Sequence, residues 1–220
     1  EMTSSLVGSE MCIRDRMVKA LNSNDRDFDI KAAGTAMRFL TAFLSKVVGE
    51  WTITGTERMK NRPIKILVDA LNALGARVEY MEKEGYPPLR IFGSALQGGE
   101  ISLAGGVSSQ YISALLMIAP LMENGLTLHL EGGVISKPYI NLTLQLMEQY
   151  GVKAEWNGQT IKVRPQDYHP IPFTVESDWS AASYWYSMMA LSKNAEIELL
   201  GLFKNLSLIH ISEPTRLDVI

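Results

Sequence analysis

Residues 34–80, GTAMRFLTAFLSKVVGEWTITGTERMKNRPIKILVDALNALGARVEY, lie over residues 108–156, SSQYISALLMIAPLMENGLTLHLEGGVISKPYINLTLQLMEQYGVKAEW, and that match decides the fold. Gly34 falls on Ser108, Pro63 on Pro138 and Gly75 on Gly151, at an offset of about 75 residues throughout. A third copy begins within FTVESDWSAASYWYSMMALSKNAEIELLGL, residues 173–202, where Ser180 matches Ser108 and AEIELLG matches GLTLHLEG. Agreement of element order at a fixed period marks one supersecondary unit used repeatedly.

Each copy reads helix, strand, helix, strand, strand. Ile64, Leu67, Val68, Leu71 and Leu74 recur at three- and four-residue steps, which makes one apolar helical stripe. Pro63 suits the first helical position and Gly75 the stop. In PYINLTLQLMEQYG, Ile140, Leu142, Leu144 and Leu146 also alternate as in a strand, but the length, Pro138 and Gly151 select a helix. WTITG, LTLHLEG and AEIELLG are short β-rich runs closed by glycine. RVEYMEKEGYPPLRIFG and VKAEWNGQTIKVRP read as hairpins, the second turning at Asn157–Gly158. The unit is therefore βαβαββ, an α/β (α+β) fold class, with the first copy expected to lack its opening strand. YISALLMIAPLM is too short for a bilayer span and contains Pro120, so it reads as a buried helix.

The 220 residues are 46% hydrophobic and 20% charged, the composition of a soluble globular chain. A balance of 21 basic to 24 acidic residues speaks against a nucleic-acid binder, and no run predicts a membrane partner. Cys12 is the only cysteine, and His129, His169 and His210 lack ligand spacing, so neither a disulfide nor a metal site is expected. Residues 1–16 and 206–220 lack the patterning of the middle and read as non-native or disordered tails. Residues 17–168 form a first domain with an incomplete set of units. The segment 164–173, RPQDYHPIPF, is an extended proline-dense connector, and residues 169–205 start a second domain.

Against that acidic balance, Arg58, Lys60, Arg62 and Lys65 crowd around a single Glu57 just before the second helix of the first copy. A charge run is most simply a solvated face. In the second copy, however, the same turn holds Ser136 and Lys137, and the first helices of the copies open with GTAMR, SSQY and SAAS. Helix starts expose unpaired N–H groups and the positive dipole end, which suits phosphate or carboxylate. One hydroxyl suffices for a cap, whereas Ser108, Ser109 and Gln110 place three polar side chains in one turn. Arg38 returns to the face of Thr35, and arginine's planar fork suits two-point contact with carboxylate or phosphate. The sum predicts a ligand with more than one anionic group.

AAGTAMRFL, GTERMKNRPI, GGVSSQYISALLM and VISKPYINLTL closely resemble the EPSP synthase (3-phosphoshikimate 1-carboxyvinyltransferase) family, from about Asp25 to Phe203. The resemblance implies the two-domain enolpyruvyl transferase fold, each half built of three βαβαββ units. It implies transfer of the enolpyruvyl group of phosphoenolpyruvate to the 5-hydroxyl of shikimate 3-phosphate, giving EPSP and phosphate without a cofactor. That reaction belongs to the shikimate pathway of aromatic amino acid biosynthesis, in the cytoplasm, in an enzyme monomeric at full length. By position, Ser108, Ser109 and Ser136 resemble the shikimate-phosphate cradle, Tyr139 a wall of its pocket, and Gln110 the glutamine between the ligands. Gly34 and Arg58 match phosphoenolpyruvate contacts, and Thr35 and Arg38 the other polar positions of that motif. Arg62 and Lys60 are support, and Asp178 is a weaker candidate.

Ala32 stands where the family often has Asn, and Phe39 where it has proline. No counterpart of the family's N-terminal Lys-Ser motif is present, nor of the later half with its catalytic Asp and Lys-Glu pair. The chain is thus expected to be truncated at both ends, with no catalytic residue and no turnover on its own. A UDP-N-acetylglucosamine enolpyruvyl transferase and a non-catalytic anion-binding fragment are the rival readings.

Overall fold

The computed structural model describes residues 17–22, 25–134, 137–173, 179–194 and 196–199. After a helical turn over residues 17–22 (α1), the first unit runs β1 (Asp27–Asp29), α2 (Gly34–Lys46), β2 (Gly49–Thr54), the one-turn α3 (Glu57–Lys60), α4 (Lys65–Ala73), β3 (Arg77–Tyr80) and β4 (Leu89–Gly93). The second runs β5 (Gly99–Ala104), α5 (Ser109–Ile118), β6 (Leu126–Glu131), α6 (Lys137–Gln149), β7 (Ala154–Asn157) and β8 (Thr160–Val163). Their sheets have the same order, β1-β2-β4-β3 and β5-β6-β8-β7. In each, the opening strand pairs parallel with the next and the remaining pairs are antiparallel.

The first unit is complete, contrary to the sequence expectation. Its opening strand β1 is only Asp27-Phe28-Asp29, and two aspartates disfavour a strand. Parallel pairing with β2 and burial of Phe28, whose ring stacks on Trp51 at 6.1 Å, hold it in place. Two boundaries also move. Pro63 precedes α4 by two residues: Ile64, at φ −136°, is the N-cap, and its N–H is bonded across the loop to the Gly85 carbonyl. The β7–β8 hairpin turns at Gly158–Gln159, with Asn157 paired to Thr160 and Gly158 at φ +59°. Gly75 and Gly151 do stop α4 and α6, at φ +98° and +89°, a conformation that costs glycine no Cβ clash.

The core is a cluster drawn from both sheets and from α2, α4, α5 and α6. Helix α5 buries Tyr111, Ile112, Ala114, Leu115, Leu116 and Ile118, most of its circumference, as its apolar composition requires, and leaves Ser109, Gln110 and Met117 partly exposed. It packs against α2, α4 and α6. Leu67, Leu71, Ile53 and Ile91 are fully buried, each contributing about 1.5–3 kcal/mol of transfer free energy. The connector is fastened to the second unit: Tyr168 Oη donates to the Met117 carbonyl at 2.8 Å, and the His169 N–H to that of Tyr150. The third copy contributes α7 (Trp179–Leu191), with Tyr184, Trp185 and Met188 exposed. The run expected as its following strand is in no strand over residues 196–199; Ala195 and the residues from Leu200 lie outside the described set. Among the described residues, no helix is long and apolar enough to cross a membrane.

Candidate functional site

The two core helices α2 and α5 begin side by side. Ala33 occupies the N-cap of α2 and offers no side-chain acceptor, so the first-turn amides have no side-chain cap. In α5 the Ser108 hydroxyl is the cap, accepting from the Gln110 N–H at 3.4 Å. Gln110 then reaches across, its Nε2 donating to Thr35 Oγ1 at 3.1 Å. Both helix starts therefore present dipole ends and polar groups at one place.

The Arg38 and Arg62 guanidinium groups lie against Gly34, and Arg58 is close enough for its charge to act on Arg62. Arg38 is 5% exposed; its Nη1 donates to the Gly34 carbonyl at 2.8 Å, and its Nε has no partner. A methyl group at Gly34 would meet Arg38 Nη1 at 2.8 Å and would overlap Arg62 Nη1. Burial first, then the Arg38 charge, with Arg58 adding to it, pushes the Arg62 pKa down. Among the described residues, Arg38, Arg58 and Arg62 have no carboxylate within ion-pair distance, whereas Lys60 is held by Glu82 at 2.8 Å and Lys65 by Glu84 at 2.9 Å. The charge run thus divides: the lysines close on surface carboxylates, and the arginines keep their charge for something else.

Thr35, Ser109, Gln110 and Tyr139 line a cleft of about 710 Å³ next to this cluster. Ser113 and Thr143, whose hydroxyls lie 2.7 Å apart, add to its polar lining, and Phe39, Met117, Leu142, Leu146, Met147, Tyr150, Tyr168 and Phe173 form the apolar part. Of the nine sequence candidates, those four face the cleft, Gly34, Arg38 and Arg58 belong to the arginine cluster, and Ser108 caps α5. Ser136 lies outside the described residues, as does Asp178. Arg62, rated as support, is a full member of the cluster. Ser113 and Thr143 went unnoticed, although each follows a candidate by four residues, Ser109 and Tyr139, and so returns to the same helical face. No group of three or more metal-ligating side chains occurs among the described residues.

Two βαβαββ units of like topology, with the starts of α2 and α5 at one cleft and unpaired arginines near Gly34, match the fold of the enolpyruvyl transferase class. Residues 3–211 match the family model described as EPSP synthase (3-phosphoshikimate 1-carboxyvinyltransferase). A 3-phosphoshikimate 1-carboxyvinyltransferase of Bacteroides fragilis is 63% identical over 190 residues, covering 86% of this chain and 46% of that protein. Its namesake from Vibrio campbellii is 46% identical over 176 residues, covering 79% and 41% respectively. The solved EPSP synthase of Acinetobacter baumannii shares the fold, with a TM-score of 0.63 at 21% identity over 74% of this chain and 36% of that one. The chain belongs to the EPSP synthase family, and it spans about half the length of the curated relatives it matches.

Proposed function

We propose that this chain forms substrate-binding walls of an enzyme that moves the enolpyruvyl group of phosphoenolpyruvate onto the 5-hydroxyl of shikimate 3-phosphate, releasing phosphate. The observation that carries the reading is the set of three arginines without carboxylate partners, Arg38 and Arg62 against Gly34 and Arg58 acting on Arg62, beside a cleft lined by Thr35, Ser109, Gln110 and Tyr139. Guanidinium groups held close to one another without counterions favour a bound anion, and uncapped amides at the α2 start add to it. The donor would sit on Gly34, Arg38, Arg58 and Arg62. The acceptor's phosphate would sit at Ser108, Ser109 and Ser136, with its ring against Tyr139 and Gln110 between the two ligands. Names of the relatives support the shikimate acceptor over a UDP-amino sugar.

On this reading the chain orients both substrates and contributes no proton-transfer group. It acts in the cytoplasm, its residues 17–168 belong to one domain and 169–205 to the next, and the whole enzyme is a monomer. Calorimetric titration of the 220-residue chain with shikimate 3-phosphate is the test. Saturable binding that weakens at least about tenfold in Ser109→Ala, the loss of a hydrogen bond to a charged group, agrees with the proposal. Stronger binding of the UDP-amino sugar, or no binding of either ligand, overturns it. Steady phosphate release by these 220 residues alone would contradict the division of roles.

A further inference from the structure

We infer that Tyr111 is a positioning residue for the arginine cluster, an inference that rests on the reading of that cluster as the donor-anion end of the site. Tyr111 belongs to α5 in the second unit, while all three arginines belong to the first. Its hydroxyl donates to the Pro63 carbonyl at 2.7 Å, directly after Arg62, and its ring lies 5.8 Å from the Arg38 guanidinium carbon. The side chain is 7% exposed, so both contacts are made inside the protein.

Three cations that repel one another and lack carboxylate partners need an uncharged scaffold to hold them in place before an anion arrives. Tyr111 supplies one at two points. The hydroxyl fixes the backbone carrying Arg62 where α4 is about to begin, and the ring offers a π-face to Arg38. Gln110, one residue earlier, fixes Thr35 at the start of α2. Two consecutive residues of α5 therefore hold both walls of the first unit's anion site. A phenylalanine would fill the same volume and keep the face toward Arg38, but would leave the Pro63 carbonyl without this donor. The hydroxyl is thus tied to the position of Arg62 separately from the packing of the core.

Tyr111→Phe in the full 220-residue chain tests this, with phosphoenolpyruvate and shikimate 3-phosphate as separate calorimetric probes and melting temperature measured alongside. Phosphoenolpyruvate affinity is expected to fall about three- to tenfold, the weight of one hydrogen bond, with shikimate 3-phosphate affinity unchanged within about twofold. Equal weakening of both probes, or none, overturns the positioning role. If the wild-type chain ignores phosphoenolpyruvate, the donor-site reading itself fails. Hydrogen exchange over residues 57–67 then still decides the anchor: faster exchange in Tyr111→Phe without ligand supports it, and unchanged exchange overturns it.

Discussion

Gln110 Nε2 donates to Thr35 Oγ1 at 3.1 Å, and the two residues hold the second position of α5 and α2, one step from the sequence register that sets Gly34 on Ser108. The repeat touches itself at the site. The bond is part-buried and links the two units, alongside the Tyr111–Pro63 bond and the packing of α2 on α5. A double-mutant cycle of Thr35→Ala and Gln110→Ala, read by urea unfolding, is expected to give a coupling of about 1 kcal/mol. Additive single effects would mean that the bond carries no net weight.

Gly34→Ala sets two effects against each other. Alanine is the better helix former by about 1 kcal/mol, and the atoms its methyl would strike are the far ends of the Arg62 and Arg38 side chains rather than backbone. Folding is therefore expected to survive, with a stability change within about 1 kcal/mol. The displaced guanidinium groups should cost phosphoenolpyruvate affinity at least about tenfold, the weight of a charge-assisted hydrogen bond. Calorimetry and urea unfolding on the same sample separate the two; unaltered affinity would mean that the arginines are not set by this contact.

The element order was legible because two copies could be compared, and the ambiguous alternation in residues 138–151 was resolved by its length, Pro138 and Gly151, in agreement with the first copy. What escaped depended on distant partners. Strand β1 has poor strand composition and exists through its ladder to β2. Lys60 and Lys65 looked like companions of Arg58 and Arg62, but Glu82 and Glu84, beyond β3, take them up at shorter distances than their local partners Glu57 and Asp69. Tyr111 read as one more apolar helix residue, because its partner, the Pro63 carbonyl, lies 48 residues away. Local chemistry marked which residues could meet an anion; tertiary contacts determined which of them remain unpaired.

Gly93 closes β4 where the chain leaving α2 passes over it. A methyl there would overlap the Val47 and Leu44 carbonyl oxygens and lie 2.7 Å from the Val47 carbonyl carbon, all backbone atoms that cannot rotate away. Gly93→Ala is expected to cost about 3 kcal/mol or more. Gly132→Ala is the control: φ is +77° but no atom lies within 4 Å of the new methyl, so only conformational strain of about 1 kcal/mol remains. Similar losses at both sites in denaturant unfolding would contradict this account of Gly93.

Tyr168 joins the connector to α5, and burial raises its phenol from 10.0 to about 12. The folded chain therefore keeps this proton at a pH where the unfolded chain has lost it. Its contribution is complete below about pH 10, the unfolded value, and disappears as pH rises toward about 12. Tyr80, raised to about 12 chiefly by burial, acts in the same direction, so stability should decline across this range. Tyr168→Phe loses the bond to the Met117 carbonyl, which costs about 1 kcal/mol at neutral pH. It also removes one ionisable group that favours unfolding in alkali. The wild-type and variant stabilities, measured by urea unfolding from about pH 8 to 12 with phenolate absorbance followed in parallel, are therefore expected to converge as pH rises. Curves that stay parallel would show that Tyr168 titrates alike in both states and that its burial does not resist ionisation.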